Sequence, residues 1–281
     1  MAADVLKLCM AQMTSADSHG PNIAFLRDAA ARAADAGCHM LALPEVAGLC
    51  NRNAEKARAQ VVAAKDDPFI AAACEAAARQ GLWINTGSTP VAGPEGKFLN
   101  HGSLIDSQGE IVADYDKIHM FDVHLDGQDR IGESDTYAGG TRAVLTDTPW
   151  GRVGLSICYD LRFPALFRGL AQRGAGILFI PAAFTVPTGQ AHWHVLLRAR
   201  AIETGSFVVA PAQVGKHDDG RRTYGHSLVV SPWGEVICDM GGEDPGLAMV
   251  ELELEQIARA RRQIPSLTLE RSFDFVTPAD D

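Results

Sequence analysis

Apolar runs and Ala-rich helical patterns alternate through the first part of the chain. Leu26, Ala29, Ala30 and Ala33 recur at the spacing of one helix face, and Gly37 supplies a stop signal. The predicted order is a strand at 5–13, a helix at 21–36, a strand at 39–43, a helix at 67–80 and a strand at 82–87. This β-α-β-α-β order favours an α/β fold built in layers.

The rest of the chain adds many strands, including two hairpins. Turn-forming residues at 107–109 and 231–234 separate apolar runs, which is typical of β-hairpins. The further predicted elements are strands at 98–106, 110–115, 151–158, 176–181, 207–212, 223–230, 235–238 and 246–252, a helix starting at 164, and helices at 190–203 and about 253–262. A single sheet of all these strands would be very wide for 281 residues, so we expect two stacked sheets.

The chain shows no linker, repeat or low-complexity tract, so residues 1–281 are predicted to form a single domain. Two stretches lack periodicity, the Gly- and Asp-rich segment 122–141 and the tail 265–281. Long irregular loops in compact domains often carry function, which makes the first of these stretches a candidate part of a site.

Composition narrows the classes of partner. The chain is 47% hydrophobic with a formal net charge of -10, so it can build a large core, and a polyanion such as nucleic acid would be repelled. No apolar run is long enough to cross a bilayer, and no membrane partner is expected. The first residues lack the basic flank and long apolar core of a secretory signal. The 6 cysteines are scattered without CxxC pairs, which favours reduced thiols and a cytoplasmic location.

A thiol at a strand-to-helix turn is the strongest chemical signal. Residues 151–166, GRVGLSICYDLRFPAL, begin with an apolar run, place Cys158 at its end and continue to Pro164, which suits a first helical turn. The pattern predicts a nucleophile elbow with Cys in place of Ser, and the helix N-terminus is expected to favour the thiolate. A lone Cys after a strand is also commonly a small buried hydrophobe, so this stretch alone leaves both interpretations open.

Three charged residues are candidates for the groups that would assist the thiol: a base, a cation and a carboxylate that holds the cation in place. Glu45 follows the apolar run 40–44, where burial is expected to raise the carboxyl pKa towards that of a useful base. Lys117 follows the run 111–116 and is a candidate cation facing developing negative charge. Glu133 lies in the irregular loop, where it could hold that lysine. Taken singly, Glu45 is more typical of a solvated strand end, Lys117 of a surface lysine and Glu133 of a polar loop. Composition and spacing do not join the three into one site.

A family resemblance does join them. The blocks PEVAG (44–48), YDKIHMFD (115–122) and CYDLRFP (158–164) resemble those of the nitrilase, or carbon–nitrogen hydrolase, superfamily, in the family's order. The similarity continues through FIPAAF (179–184), RARAIE (198–203) and YGHSLVVSPWGEV (224–236). The resemblance implies that Glu45, Lys117 and Cys158 are the family's Glu-Lys-Cys triad and that Glu133 supports Lys117. It also implies a four-layer αββα sandwich, paired into a homodimer, with the tail 265–281 at a subunit interface.

The branch of the superfamily is also indicated. CYDLRFP, FDVHLDGQ (121–128) and residues 224–234 resemble the Nit-type amidases, and among them the enzymes that act on deaminated glutathione. True nitrilases usually have Trp-Glu after the cysteine, whereas this chain has Tyr159-Asp160. The chain departs from many relatives at Gly139-Gly140, where they have Pro-Gly, and at 269–271, where they often have paired arginines. These departures concern loop stiffness and the tail rather than the chemistry.

The resemblance implies a cysteine-dependent amidase that hydrolyses a non-peptide C–N bond of a small carboxylate-bearing amide through a thioester, with no cofactor. The expected substrate is deaminated glutathione, an α-keto acid joined through its γ-carboxyl to Cys-Gly. One alternative is an ω-amidase acting on short keto-acid amides such as 2-oxoglutaramate, and another is hydrolysis of N-carbamoyl amines or nitriles. An inactive binding or scaffold protein on the same fold is the alternative from another class.

Substrate contacts are expected from residues near the triad. The candidates are Tyr159, with its backbone N–H at the oxyanion, Ala183, Phe184, Arg162, Arg221 and Arg222, with Lys216 as a further cation. The cations at 216–222 are equally compatible with a solvated turn around 218–220. No metal site is predicted, because HExxH and CxxC are absent and because His192 and His194 fall on different faces of a predicted helix.

Overall fold

The computed structural model describes residues 4–124 and 130–276. Two main β-sheets pack together with helices on their outer faces, and two pairs of short strands form two small further sheets. The helices are α1 (His19–Asp35), α2 (Ala54–Arg58), α3 (Pro68–Gln80), α4 (Pro164–Gln172), α5 (Val186–Thr204) and α6 (Glu255–Gln263). The strands are β1 (Val5–Gln12), β2 (Met40–Ala42), β3 (Trp83–Asn85), β4 (Thr89–Ala92), β5 (Phe98–Ile105), β6 (Ile111–Asp116), β7 (Asp122–Val123), β8 (Ile131–Gly132), β9 (Val144–Thr148), β10 (Gly151–Leu155), β11 (Ile177–Phe179), β12 (Phe207–Ala210), β13 (Val214–Lys216), β14 (Arg222–Tyr224), β15 (Leu228–Val230), β16 (Val236–Asp239) and β17 (Gly246–Glu253).

The two main sheets are built alike. The first runs in the order β17-β1-β2-β3-β5-β4, with β6 also paired to β5, and the second in the order β16-β15-β12-β11-β10-β9. The small further sheets are β13-β14 and β7-β8. In each sheet three central strands are parallel, β1-β2-β3 in the first and β10-β11-β12 in the second, and the flanking strands are antiparallel. Parallel strands need covered faces, so helices must lie outside both sheets.

Side chains of β1 alternate between two cores. Leu6, Leu8 and Met10 belong to the core shared with the second sheet, whereas Cys9 and Ala11 face the core made with α1 and α3. This strand is therefore buried on both faces, which explains its nearly continuous apolar sequence. With α4 and α5 against the second sheet, the layers are helix, sheet, sheet, helix, and the predicted αββα sandwich is confirmed.

The break between β14 and β15 corrects one prediction. The sequence predicts one strand over 223–230, but β14 pairs with β13, whereas β15 joins the second main sheet. Gly225 and His226, with φ of 72° and 54°, lie between them in the left-handed region and turn the chain out of the strand. The elements α2, β4, β7, β8, β9 and β13 were not predicted, and α5 begins at Val186 rather than at 190.

Some predictions concern residues outside those described. Residues 125–128 of the FDVHLDGQ block and residues 277–281 of the tail are among them. Among the described residues, no helix has the length and apolar character needed to cross a membrane.

Candidate active site

Cys158 stands on a strained turn between β10 and α4. Its φ is 49°, a left-handed value that a non-glycine residue rarely adopts and that is concentrated at functional sites. A short 3-10 turn over Cys158–Arg162 follows, and α4 then begins at Pro164. The backbone N–H of Cys158 donates to the carbonyl of Pro181 at 2.9 Å. The predicted order of strand, sharp turn and helix is confirmed, and it places the thiol of Cys158 at the end of the strand, where it is 7% exposed.

Asp160 holds this turn from inside the protein. One carboxylate oxygen, Oδ2, accepts hydrogen bonds from the Ile157 N–H at 2.8 Å and from the Tyr115 hydroxyl at 2.7 Å. The other, Oδ1, accepts the backbone N–H of His119 at 3.1 Å. Asp160 is fully buried, so each of these bonds is costly to lose. Sequence analysis used Asp160 only to assign the branch and missed this role in positioning Cys158.

Glu45 follows β2 and is 4% exposed. Its Oε1 accepts hydrogen bonds from Lys117 Nζ and from the amide of Asn100, both at 2.9 Å. Its Oε2 accepts the backbone N–H of Ala183 at 2.7 Å. Donors from three distant segments therefore fix the carboxylate beside Cys158. Asn100 is a site residue that sequence analysis missed, because one Asn in an apolar strand gives no signal of its own.

Lys117 is the cation at the centre of the site and is 2% exposed. Its Nζ lies 2.9 Å from both carboxylate oxygens of Glu133 as well as from Glu45. Glu133 Oε2 also accepts the backbone N–H of Phe121 at 2.6 Å, which ties the irregular loop to the lysine. The geometry thus joins Glu45, Lys117, Cys158 and Glu133, four residues that spacing alone left apart.

The pKa of Glu45 is lower than its ordinary value, opposite to the sequence-based expectation. Burial raises this pKa, as predicted, but the charge of Lys117 and the hydrogen bonds from Cys158, Lys117 and Ala183 outweigh it. The pKa of Lys117 is also set by burial and charge together. Burial lowers it, and the charges of Glu133 and Glu45 raise it well above its ordinary value. Glu45 is thus a carboxylate and Lys117 an ammonium at neutral pH.

The thiol of Cys158 also differs from expectation. Burial and the neighbouring Glu45 carboxylate raise its pKa well above the ordinary value, against the lowering effects of Lys117 and the Ala183 N–H. The expected stabilisation of the thiolate by a helix N-terminus is therefore outweighed, because a buried anion beside another anion is unfavourable. The resting pair is a neutral thiol next to a carboxylate that can take its proton.

A cavity of about 610 Å³ opens onto these residues. Its lining includes most of the predicted site residues, namely Glu45, Lys117, Glu133, Cys158, Tyr159, Ala183, Phe184, Arg221 and Arg222. Arg162 is not part of the lining formed by the described residues: its guanidinium lies over the rings of Tyr159 and Phe184, with His192 at 3.3 Å. Lys216, at the exposed end of β13, is also absent from this described lining.

Three of the described arginines line the cavity. Arg221 donates to Asp219 at 2.8 Å, and this aspartate side chain is only 3% exposed, so the guanidinium is held in place. The backbone N–H of Arg52 donates to the same carboxylate at 2.9 Å, and its side chain also lines the cavity. Together with Arg222, these residues supply positive charge to the cavity wall. Arg52 was missed, since it lies in a segment with no motif.

Known proteins resemble this chain in both sequence and structure. The family model for carbon-nitrogen hydrolase matches residues 7–262. Deaminated glutathione amidase of Yersinia enterocolitica is 43% identical over 250 residues, 87% of this chain and 86% of that protein. The crystal structure of the C. elegans NitFhit protein is similar with a TM-score of 0.88 and 36% identity, covering 96% of this chain and 66% of that one. An amidase from Nesterenkonia sp. AN1, with acrylamide added at its active site cysteine, gives a TM-score of 0.76 and 26% identity, covering 92% of this chain and 98% of that one.

Proposed function

The chain belongs to the carbon–nitrogen hydrolase family and is a cysteine-dependent amidase, and we propose that Cys158, Glu45 and Lys117 carry its reaction. One observation supports this assignment above all others. The Glu45 carboxylate is fixed between Lys117 Nζ at 2.9 Å and the Ala183 N–H at 2.7 Å, next to the Cys158 thiol. A buried base, a buried cation and a thiol on a strained turn are the parts that thiol attack on an amide requires.

The first half-reaction forms a thioester. Glu45 takes the thiol proton as the sulfur of Cys158 attacks the amide carbon, so no free thiolate has to accumulate. The oxyanion accepts hydrogen bonds from the Tyr159 N–H and from Lys117, which exchanges one of its two contacts with Glu133 for the substrate. Glu45 then gives the proton to the departing nitrogen. The C–N bond breaks, an amine or ammonia leaves, and Glu45 is again a carboxylate.

The second half-reaction hydrolyses the thioester with water. Glu45 takes a proton from the water as its oxygen attacks the acyl carbon, and the same two donors stabilise the new oxyanion. When the C–S bond breaks, the proton on Glu45 returns to the sulfur of Cys158. The products are a carboxylic acid and the resting enzyme, and the balance needs no oxidant, reductant or cofactor.

The proposed substrate is deaminated glutathione, cut at the γ-amide so that the Cys-Gly amine leaves. The name of the Yersinia enterocolitica relative supports it, and so does the charge of the cavity. Besides Lys117, the cavity is lined by Arg52, Arg221 and Arg222, which bring positive charge to its wall, with Asp219 paired to the first two. Guanidinium groups pair well with carboxylates, and this substrate carries one at each end.

Arg162 is retained as a candidate in a narrower role. Because its guanidinium covers the rings of Tyr159 and Phe184, it would act on substrate by fixing those two rings rather than by pairing with a carboxylate. Lys216 lies opposite Arg222 in the β13–β14 ladder and stays a candidate only for attraction of an anionic substrate at longer range.

A panel of substrates tests the function. Deaminated glutathione, 2-oxoglutaramate, an N-carbamoyl amine and a nitrile are compared by kcat/KM, because this ratio measures specificity. We expect the largest value for deaminated glutathione, and a raised KM for that substrate in Arg221→Ala and Arg222→Ala. A preference for 2-oxoglutaramate, or unchanged KM in both variants, overturns the substrate while leaving the amidase class. Release of neither amine nor ammonia from any compound would favour the scaffold alternative.

A homodimer in the cytoplasm completes the proposal. The segment after α6 carries Ile264, Leu269, Phe273, Phe275 and Val276, which are 58% to 92% exposed. Large apolar side chains exposed together are typical of interaction surfaces, so we assign this tail to the contact between subunits. The six cysteines are all free, which fits a reducing compartment.

A further inference from the structure

Three potential metal ligands meet outside the catalytic cavity. His194 lies on α5, His226 on the turn between β14 and β15, and Asp239 at the end of β16. His194 Nε2 lies 3.1 Å from Asp239 Oδ2, and His226 Nδ1 lies 2.9 Å from Asp239 Oδ1. The ligand atoms of all three residues fall within 4.8 Å of one another. None of the three residues lines the described part of the cavity.

A hydrogen-bonded clamp is the simpler interpretation of the same contacts. Asp239 would accept from both imidazoles and from the Gly241 N–H, at 2.9 Å, and would join α5 to the second sheet. In this interpretation His194 Nδ1 and His226 Nε2 have no partners among the described residues. Both histidines would then serve only to hold one carboxylate, although histidine is the commonest metal ligand in proteins. The contacts also suit neighbouring ligands around one ion, because His194 Nε2 and His226 Nδ1 each lie 3.1 Å from Asp239 Oδ2. For metal–ligand bonds of about 2.1 Å, adjacent ligands lie roughly 3.0 to 3.4 Å apart.

The backbone at this cluster is held in advance of any ligand. His226 adopts a φ of 54°, and its N–H donates to the Gly241 carbonyl at 2.7 Å while its carbonyl accepts Trp193 Nε1 at 2.8 Å. The ring of Tyr224 stacks on the His226 ring with centroids 4.4 Å apart. A strained residue fixed by contacts on both sides is what a preorganised site needs, since little freedom remains to be lost when an ion binds.

We propose that His194, His226 and Asp239 form a binding site for a divalent first-row transition ion of the Zn²⁺ type. Two imidazole nitrogens and one carboxylate oxygen suit Zn²⁺, Ni²⁺ or Cu²⁺, whereas Mg²⁺ and Ca²⁺ prefer oxygen alone. The side chains of His194, His226 and Asp239 are 34%, 25% and 33% exposed, so an ion can enter from solvent and keep water at its open positions. The bound ion ties α5 to the end of β16 and stabilises the folded protein.

The sequence did not predict this site because its ligands are far apart in the chain. His194 and Asp239 are separated by 45 positions and His226 and Asp239 by 13, which matches no compact metal-binding motif. Only the fold brings helix, turn and strand end together.

Calorimetric titration of the tag-free, reduced full chain with Zn²⁺ tests the proposal independently of activity. The variant His194→Ala removes one ligand from a partly exposed helix position that tolerates Ala, so it should stay folded. His192→Ala is the matched control, since His192 lies two positions away on the same helix and contacts Arg162 instead. Cys158→Ala is titrated as well, because a thiol can also bind Zn²⁺.

We expect one equivalent of Zn²⁺ to bind the wild type, His192→Ala and Cys158→Ala alike, and to raise the Tm of each. In His194→Ala the affinity should fall at least about tenfold and the Tm rise should shrink accordingly. Mg²⁺ should produce neither heat of binding nor a Tm shift. Equal affinity in His194→Ala and His192→Ala, loss of binding in Cys158→Ala, or no Zn²⁺ binding by the wild type would each overturn the site.

Discussion

The ammonium of Lys117 lies 2.9 Å from Oε1 of Glu45, and the two residues are 2% and 4% exposed. Because Glu133 contacts the same nitrogen, one buried cation balances two carboxylates. A buried ion pair is stable only while its charges are matched, so removal of one member affects both protonation and folding. This arrangement gives the site a fixed electrostatic character before substrate arrives.

Removing the cation should destabilise the protein. In Lys117→Ala, Glu45 and Glu133 face each other without a counter-charge, and breaking a buried pair in this way costs about 3–5 kcal/mol of the free energy of unfolding. Urea unfolding of Lys117→Ala and of the exposed-pair control Lys7→Ala measures the difference. The control should change by less than about 1 kcal/mol.

The stability difference between wild type and Lys117→Ala should depend on pH in one direction only. Glu45 has a pKa below its ordinary value in the folded state, so its contribution is present above the unfolded carboxyl pKa of about 4.3 and is lost as the pH falls through the lower, folded value. The difference between wild type and Lys117→Ala should therefore be constant near neutral pH and shrink only in acid. A difference that disappears already at neutral pH would contradict a charged Glu45–Lys117 pair.

Replacing Glu45 should lower turnover and, at the same time, lower the pKa of the Cys158 thiol. Glu45→Gln keeps the shape of the side chain but removes proton transfer, so kcat should fall by about 10²-fold or more. The same change removes the anion that raises the pKa of Cys158, so the thiol pKa should fall. Ultraviolet titration of thiolate absorbance, with Cys158→Ala as the blank, measures this pKa. Loss of turnover with an unchanged or higher thiol pKa would mean that Glu45 does not adjoin the sulfur.

A histidine on the first sheet should make stability fall in weak base. His101 lies 2.7 Å from Asp116 and 3.3 Å from Asp114, and although burial lowers its pKa, these two carboxylates raise it from 6.5 to about 9. A raised pKa stabilises the folded state fully below the unfolded value and is lost as the pH rises through the folded one. His101→Gln should therefore cost roughly 3 kcal/mol at pH 6 and little above pH 9. Imidazole titration by NMR checks the pKa directly, and a value near 6.5 would contradict the ion pairs.

The tail should control assembly. Removing the residues after Pro265 deletes four of the exposed apolar side chains, Leu269, Phe273, Phe275 and Val276. Sedimentation of the full chain should show a species larger than the 30.0 kDa subunit at micromolar concentration, and the truncated chain should shift towards the monomer. A full chain that sediments only as a monomer would refute the dimer. As a matched control, Val195→Ala removes an equally exposed apolar side chain on α5 and should leave assembly unchanged.

Local sequence pattern was sufficient for much of the fold and for the positions of the site residues. Each of Glu45, Lys117 and Cys158 follows an apolar strand or run, the first two after β2 and β6 of the first main sheet and the third after β10 of the second. The elements around Cys158 were predictable because a strand, a turn and a Pro-initiated helix each leave a local signal. Assigning the three residues to one site required the family resemblance, since no local pattern records which distant segments meet.

The direction of the pKa shift at Glu45 and the end of one strand could not be predicted from the sequence. Burial of Glu45 was foreseen, but the sign of its pKa shift depends on Lys117 and on the Ala183 N–H, which come from segments far along the sequence. The strand predicted over 223–230 was wrong because β-propensity continues through a point where Gly225 and His226 turn the backbone. The packing of Arg162 on Tyr159 and Phe184 likewise depends on tertiary contact, not on its place after the nucleophile.

The initial rate of amide hydrolysis by Cys158→Ala tests the covalent mechanism most directly. The assay uses the amide that the wild type hydrolyses fastest, and Cys74→Ala is the matched control, since Cys74 lies half-buried on α3. Circular dichroism confirms that both variants are folded. The account predicts that Cys74→Ala keeps the wild-type rate and that Cys158→Ala loses hydrolysis altogether, because no thioester can form. Undiminished hydrolysis by folded Cys158→Ala would contradict it.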